Sequence, residues 1–437
     1  MSFPASLASS YMDLLHQEIQ IALGCTEPAA VAFCAATAAE SLKKPVFRLA
    51  VEASPYILKN AMHVGIPGAK GLSGAPIAAA IGSLLQQSER KLEIFKALTD
   101  EMVGLARSMV DEGRVTIRIA QNDEKVWIDT RAFAFDGSSA RAVVQGDHTH
   151  ILLVEREGKT LHAAAKLPQA QTCGPRMMLR DIYTFCMTTP PENLACLEDV
   201  IRLNGAVAQR GLEESFGLQV GRMVAQSRFV KGDTAVAMTA AAVDARMDGC
   251  MMPVMTNMGS GNQGLTASVP LIATAWAQGS SHEQLLRALA MSELVAMDVK
   301  ANIGRLSALC GCGIAAGIGA AAGMVLLYGG TYEQVLYAIQ TMAADVAGMV
   351  CDGAKPGCAL KVATAVSSAQ RAASLAMSGE RTPGHFGIVS HNVEKTLANL
   401  GKLGDSGMGA ANGEILRMLM EETEQVGKTS RECDVQA

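Results

Sequence analysis

Four cysteines carry the densest chemistry in the second half of the chain: Cys310, Cys312, Cys351 and Cys358. The last two bracket the segment Cys351-Asp352-Gly353-Ala354-Lys355-Pro356-Gly357-Cys358, whose glycines and proline shape a turn able to bring Cys358 back toward Cys351. Cys310 would then arrive from another helix. Thiolates suit zinc or iron-sulfur clusters, but this spacing is neither the paired CxxC of a zinc ribbon nor the run of a bacterial ferredoxin. Taken singly, each of these residues reads better as a small buried hydrophobe in an Ala-rich helix; the loop pair is less easily read that way. Cys25 stands apart. It lies just ahead of Thr26-Glu27-Pro28, which reads as the start of a helix, so unpaired amides and the positive dipole end should lower its pKa and free a thiolate to abstract a proton. Glu27 would oppose that charge if its carboxylate pointed the same way, leaving a half-buried interhelical cysteine.

A third feature is the glycine-rich turn Met258-Gly259-Ser260-Gly261-Asn262-Gln263-Gly264 ahead of an apolar stretch at 265–277. Glycine-rich backbone entering a helix offers converging N–H groups for an anion, with Ser260, Gly261, Asn262 and Gln263 as the contact positions. No Lys-Ser/Thr follows, and no dinucleotide fingerprint is matched, so a substrate carboxylate is the more economical ligand and a plain turn the simpler one. Lys59, Asn60 and His148 could hold an amino acid or move protons, although such residues are more often turn and surface groups. Asp244, Arg246 and Asp248 read as a helix-end charge cluster.

The elements that must position these residues divide the chain. Residues 46–54, 115–120, 126–135, 142–144, 151–155 and 160–164 are β-branched or apolar runs, and Glu157-Gly158-Lys159 joins the last two as a hairpin. Helices are expected at 11–23, capped by Gly24, and at 75–86 and 92–111. After Thr188-Thr189-Pro190-Pro191 strand signals nearly vanish. A helix at 192–203 should stop at Asn204-Gly205, Ser281 and Thr331 each open a capping box, and Ser390 caps a helix through residue 400. The expected fold is α+β, with residues 1–190 a mixed domain carrying the proposed base and 191–437 an all-helical Ala/Gly-rich domain.

Length and composition set the outer bounds. At 437 residues with 49% hydrophobic and only 18% charged residues, the chain buries an unusually large share of itself. A net charge of −5 with no basic block argues against nucleic acid. Eleven cysteines in so long a chain imply reduced thiols, and the lack of Lys or Arg before Lys43 gives no signal or transit peptide, so the cytoplasm is expected. Residues 250–281 and 306–332 lack Asp, Glu, Lys and Arg, but polar runs and seven glycines in the second favour buried helices over a membrane pair built on Gly313 and Gly317 or Gly319 and Gly323.

Five separated motifs resemble the L-cysteine desulfidase family, which is grouped with the iron-sulfur L-serine dehydratases. They are residues 22–28, Ser54-Pro55 with Lys59-Asn60, 257–264, 305–310 and 348–354. The resemblance runs from about residue 15 to 399. It implies a [4Fe-4S] lyase that needs no pyridoxal phosphate, with Cys310, Cys351 and Cys358 as cluster ligands, one iron open, and Cys25 as base. Cys312 could replace Cys310 or simply pack, the motif match favouring Cys310, and Cys433 in the tail is left out of the ligand set because its surroundings match no family motif. The implied reaction eliminates sulfide from L-cysteine to give pyruvate and ammonia. L-serine or another small β-substituted amino acid is the alternative substrate, and a non-catalytic zinc- or small-molecule-binding protein the alternative from another class. The expected partner is a small amino acid, with neither nucleic acid nor membrane, and a homodimer is allowed.

Overall fold

The computed structural model describes residues 4–167, 177–227, 233–304, 306–419 and 421. It is α+β. Six strands form one sheet in the order Val115–Ile119, Arg48–Ala53, Trp127–Phe133, Ser139–Gln145, Ile151–Arg156 and Lys159–Ala163. The first two are parallel and every other neighbouring pair antiparallel. The turn before the last strand places Glu157 at φ 51° and Gly158 at φ 72°, two consecutive left-handed residues whose twist matches that of the paired strands.

Against this sheet lies the helix Thr26–Leu42, apolar on nearly every side because it is covered on nearly every side. Ile128, Ala132, Ala142 and Val144 lie in the same core on the strands that pack against it, and the helix Ala75–Leu85 covers it from elsewhere. Small residues allow that approach: a Cβ on Gly82 would lie 2.0 Å from the Ala32 carbonyl oxygen.

The second core is built from the helices Thr234–Met247, Gly261–Gln278, His282–Ile303, Ala315–Leu327, Tyr332–Val346 and Cys358–Met377. Both capping boxes form, Ser281 with Gln284 and Thr331 with Gln334. In the Ala315–Leu327 helix, Gly319 and Gly323 face the helix His282–Ile303, where Cβ atoms would fall 2.3 Å from the Ser292 carbonyl oxygen and 2.8 Å from that of Ala288. The glycine stripe thus brings two helices of one chain together. Among the described residues no helix is long and apolar enough to cross a membrane. Tyr11, Leu15 and Ile19 join this helical core from the start of the chain, while Leu416 is buried in the core under the sheet.

Four local expectations are corrected. The first helix is Ala5–Glu18, and Ile21–Ala22 leaves it to pair antiparallel with Val254–Met255, so Gly24 at φ 75° is a bend after a strand and not a helix cap. Residues 92–111 break at Leu98, and Thr99 caps a separate helix Asp100–Asp111. Asn204-Gly205 does not stop a helix, because Asn204 is fully buried, its carboxamide is bonded to Met255 and Ser268, and the chain winds on into Gly205–Glu213. The cap of the helix Val393–Lys402 is Asn392.

Candidate active site

Three helix N-termini open on one cavity. Cys25 is the N-cap of Thr26–Leu42, Ser260 that of Gly261–Gln278, and Cys358 is the first residue of Cys358–Met377; all three line the cavity. Each adds partial positive charge from its unpaired amides. Around them the lining includes Lys59, Arg246, Lys300 and Lys361, against the carboxylates of Glu27 and Asp352. Such an excess of cations favours thiolates and an anionic substrate.

The thiol wall is made by two loops that zip together. Cys310 N–H donates to the Met349 carbonyl (2.9 Å) and Cys351 N–H to that of Ala308 (2.7 Å), bridging Leu309 and Val350. The turn that follows carries Gly353 at φ 97°, where a Cβ would lie 2.2 Å from the Lys59 carbonyl oxygen. Asp352 is held by Lys355 and Lys361, and Cys358 Sγ donates to the Gly353 carbonyl at 3.6 Å. Cys312 belongs to the same wall, its sulfur 3.4 Å from that of Cys310. The hydrogen bond with Cys312, aided by the Gly313 amide and the Lys361 and Lys300 charges, holds the Cys310 thiol below its ordinary value. Burial pushes Cys358 up to about 12 and lowers Lys300.

Of the two readings of Cys25, the local geometry follows the one in which Glu27 opposes a thiolate. Its sulfur makes no capping bond; it donates to Glu27 Oε2 at 3.1 Å, and Glu27 Oε1 accepts from Asn60 Nδ2 at 3.0 Å. Burial first and the Glu27 charge second raise the thiol pKa well above its ordinary value, outweighing the opposing pull of Arg246. Both effects favour the thiol over the thiolate. Arg246, at the end of the Thr234–Met247 helix, donates to the Gly24 carbonyl (2.6 Å) and to Asn262 Oδ1 (2.9 Å), tying the Cys25 loop to the glycine-rich turn. Gly261 makes room for it: a Cβ there would sit 2.3 Å from Arg246 Nε.

The cavity therefore gathers Cys25, Lys59, Asn60, Ser260, Asn262, Cys310, Cys351 and Cys358 from the sequence-based set. Gly261 and Gln263 stand behind its wall, Gln263 Nε2 donating to Asn257 Oδ1 (2.6 Å) and Asn257 Nδ2 to Glu293 Oε2 (2.6 Å). Lys59 is a brace, since its ammonium donates to Asn412 Oδ1 (2.5 Å) and to the Cys351 and Ser307 carbonyls. His148 lies in the loop between the strands Ser139–Gln145 and Ile151–Arg156 and does not line the cavity. Cys433 lies outside the described residues. Sequence reasoning took Arg246 for part of a helix-end charge cluster and missed Lys300 and Lys361, all three of which line the cavity. The available signal was a charge inside an apolar helix, as in Ala245-Arg246-Met247 and Val299-Lys300-Ala301, which must find a polar site. Asp244 does not share Arg246's setting, as its carboxylate accepts from Gly221 N–H.

An all-thiol donor set fits an iron-sulfur cluster and not a hard cation. Among the described residues, no three His, Cys, Asp or Glu groups converge as the ligands of a single metal ion do. The serine dehydratase alpha chain family model matches residues 89–417, spanning the glycine-rich turn and the thiol wall. A UPF0597 protein of Oleidesulfovibrio alaskensis is 42% identical over 94% of this chain and 98% of its own length. UPF0597 proteins of Phocaeicola vulgatus (39%; 96% and 97% covered) and Clostridium perfringens (36%; 94% and 98%) are similar along their whole length too. On these matches, the chain belongs to the serine dehydratase alpha chain family.

Proposed function

We propose that the protein is an iron-sulfur-dependent, pyridoxal-independent lyase that eliminates sulfide from L-cysteine, giving pyruvate and ammonia. The observation that carries the reading is the meeting, in one cation-rich cavity, of a thiol wall with a separate thiol–carboxylate pair, Cys25 and Glu27. Cys310, Cys351 and Cys358 would hold a [4Fe-4S] cluster, which when bound supplies a Lewis acid for the leaving group through its open iron. Lys300 and Lys361, lining the same wall, offset the negative charge of the thiolates.

The remaining work falls to this chain's own side chains. Ser260 and Asn262, at the N-terminus of the Gly261–Gln278 helix and backed by Arg246, receive the substrate carboxylate. That contact sets the α-carbon against the Cys25 sulfur, which takes the α-proton. The Cα–H electron pair forms a carbon–carbon double bond as the Cβ–S bond breaks. The aminoacrylate so released tautomerises to an imine and hydrolyses to pyruvate and ammonia.

L-serine dehydration is the second reading, favoured by the family to which the chain belongs; it differs in the leaving group alone. Anaerobically purified protein assayed for sulfide and pyruvate from L-cysteine, and for pyruvate from L-serine, decides between them. Turnover of neither, with zinc in place of iron and acid-labile sulfide, would overturn both in favour of a binding protein.

A further inference from the structure

We propose that Glu27 is the terminal proton acceptor of this elimination, drawing away the Cys25 thiol proton as the Cys25 sulfur takes the substrate α-proton. The inference rests on the lyase reading and adds to it a residue and a proton route. Its basis is geometric. Cys25 and Glu27 both line the cavity, and Cys25 Sγ donates to Glu27 Oε2 at 3.1 Å. The second carboxylate oxygen is fixed by Asn60 Nδ2 at 3.0 Å. Asn60 is itself anchored, because its short helix Pro55–Ala61 is capped by Ser54, whose hydroxyl accepts from Ile57 N–H and donates to the Lys125 carbonyl at 2.7 Å. With Glu27 only 9% exposed, one thiol and one amide set its orientation.

A sulfur that already carries a proton cannot accept another, so the first must leave as the second arrives. Glu27 is the carboxylate bonded to that first proton. In the step, the Cys25 S–H bond breaks and its proton forms an O–H bond at Glu27 Oε2. The Cα–H bond breaks and its proton forms a new S–H bond. The Cα–H electron pair becomes the π bond while the Cβ–S pair departs with sulfur. One proton has passed from Cα to Glu27, Cys25 ends as it began, and the proton on Glu27 is then available to the departing sulfide. The charged group tied to the Cys25 loop from a neighbouring element is Arg246; Lys59 and Lys300 also line the cavity, and Asn60 is neutral.

The test compares wild type, Glu27→Gln, Glu27→Asp and Cys25→Ser as full-length, iron-loaded protein. We measure kcat and KM for L-cysteine against pH, with the iodoacetamide labelling rate of Cys25 read on its own peptide by mass. Glu27→Gln is expected to lower kcat by about 10²-fold or more with KM little changed. It should also abolish the acid limb of the kcat profile and change the rate of Cys25 labelling at neutral pH, because the thiol proton has lost its carboxylate partner. Glu27→Asp should retain intermediate kcat and keep the acid limb. A Glu27→Gln enzyme within about twofold of wild type, or one that keeps the acid limb, overturns the relay. So does lost kcat with unchanged labelling, which would make Glu27 a merely structural group. If wild type releases neither sulfide nor pyruvate, the lyase reading itself fails and the relay falls with it. Labelling then still reports whether the pair is coupled.

Discussion

Cys25 and Cys351 line the same cavity but are asked for different things, since one must exchange a proton and the other must stay bound to metal. A helix N-terminus ordinarily acidifies a thiol, yet burial and a carboxylate 3.1 Å away hold Cys25 protonated. The adjacency of Cys25 and Glu27, and the sign of their interaction if they met, were legible in the sequence; whether they met was not, because it depends on which way two side chains turn and how much water they lose. Cys25→Ser should therefore retain the full iron and acid-labile sulfide content while losing about 10²-fold or more of turnover. Cys351→Ser should lose iron, sulfide and visible absorbance together. Full activity in the first variant, or an intact cluster in the second, would reverse these roles.

Elements whose signals are local were legible, and those made by distant partners were not. The Ser281 and Thr331 capping boxes and the Glu157-Gly158 hairpin need only neighbours within a few residues, and each forms. Residues 20–22 look helical by their own periodicity but are pulled into pairing with Val254–Met255, and Asn204 is kept in a helix by bonds to Met255 and Ser268. Glycines follow the same division. Gly319 faces the Ser292 carbonyl with no space for a methyl group, whereas Gly104, in the helix Asp100–Asp111, has nothing within 4 Å of where a Cβ would stand. Gly319→Ala is expected to cost about 1–3 kcal/mol through overpacking. Gly104→Ala should gain about 0.5–1 kcal/mol by removing backbone freedom from the unfolded chain. Urea midpoints of the two variants moving in the same direction would contradict this account of the glycine-rich helix contact.

At the scale of the molecule, low charge goes with a large apolar interior, and several of the few charges that are buried, Glu27, Lys59, Arg246 and Lys300 among them, line the cavity. Residues near both ends cross between cores, Tyr11 and Leu15 entering the helical one and Leu416 the one under the sheet. The Lys59–Asn412 bond at 2.5 Å joins the two parts beside the cavity. None of these crossings has a local signature. Behind the site, Glu293 is buried and pushed up to about 8 by desolvation, partly offset by the hydrogen bond it accepts from Asn257. A carboxyl group whose pKa is raised on folding favours the folded state in its neutral form. Its stabilising effect is thus complete below the unfolded value of about 4.3 and is lost as pH rises through the folded value of about 8. Glu293→Gln keeps an oxygen to accept from Asn257 but cannot ionise, so it should match wild type near pH 4 and exceed it by a few kcal/mol near pH 9. Chemical denaturation at the two pH values measures that difference. A gap that does not widen with pH would mean that Glu293 titrates as an ordinary solvated carboxylate, and that the helical core admits water where its packing indicates that it does not.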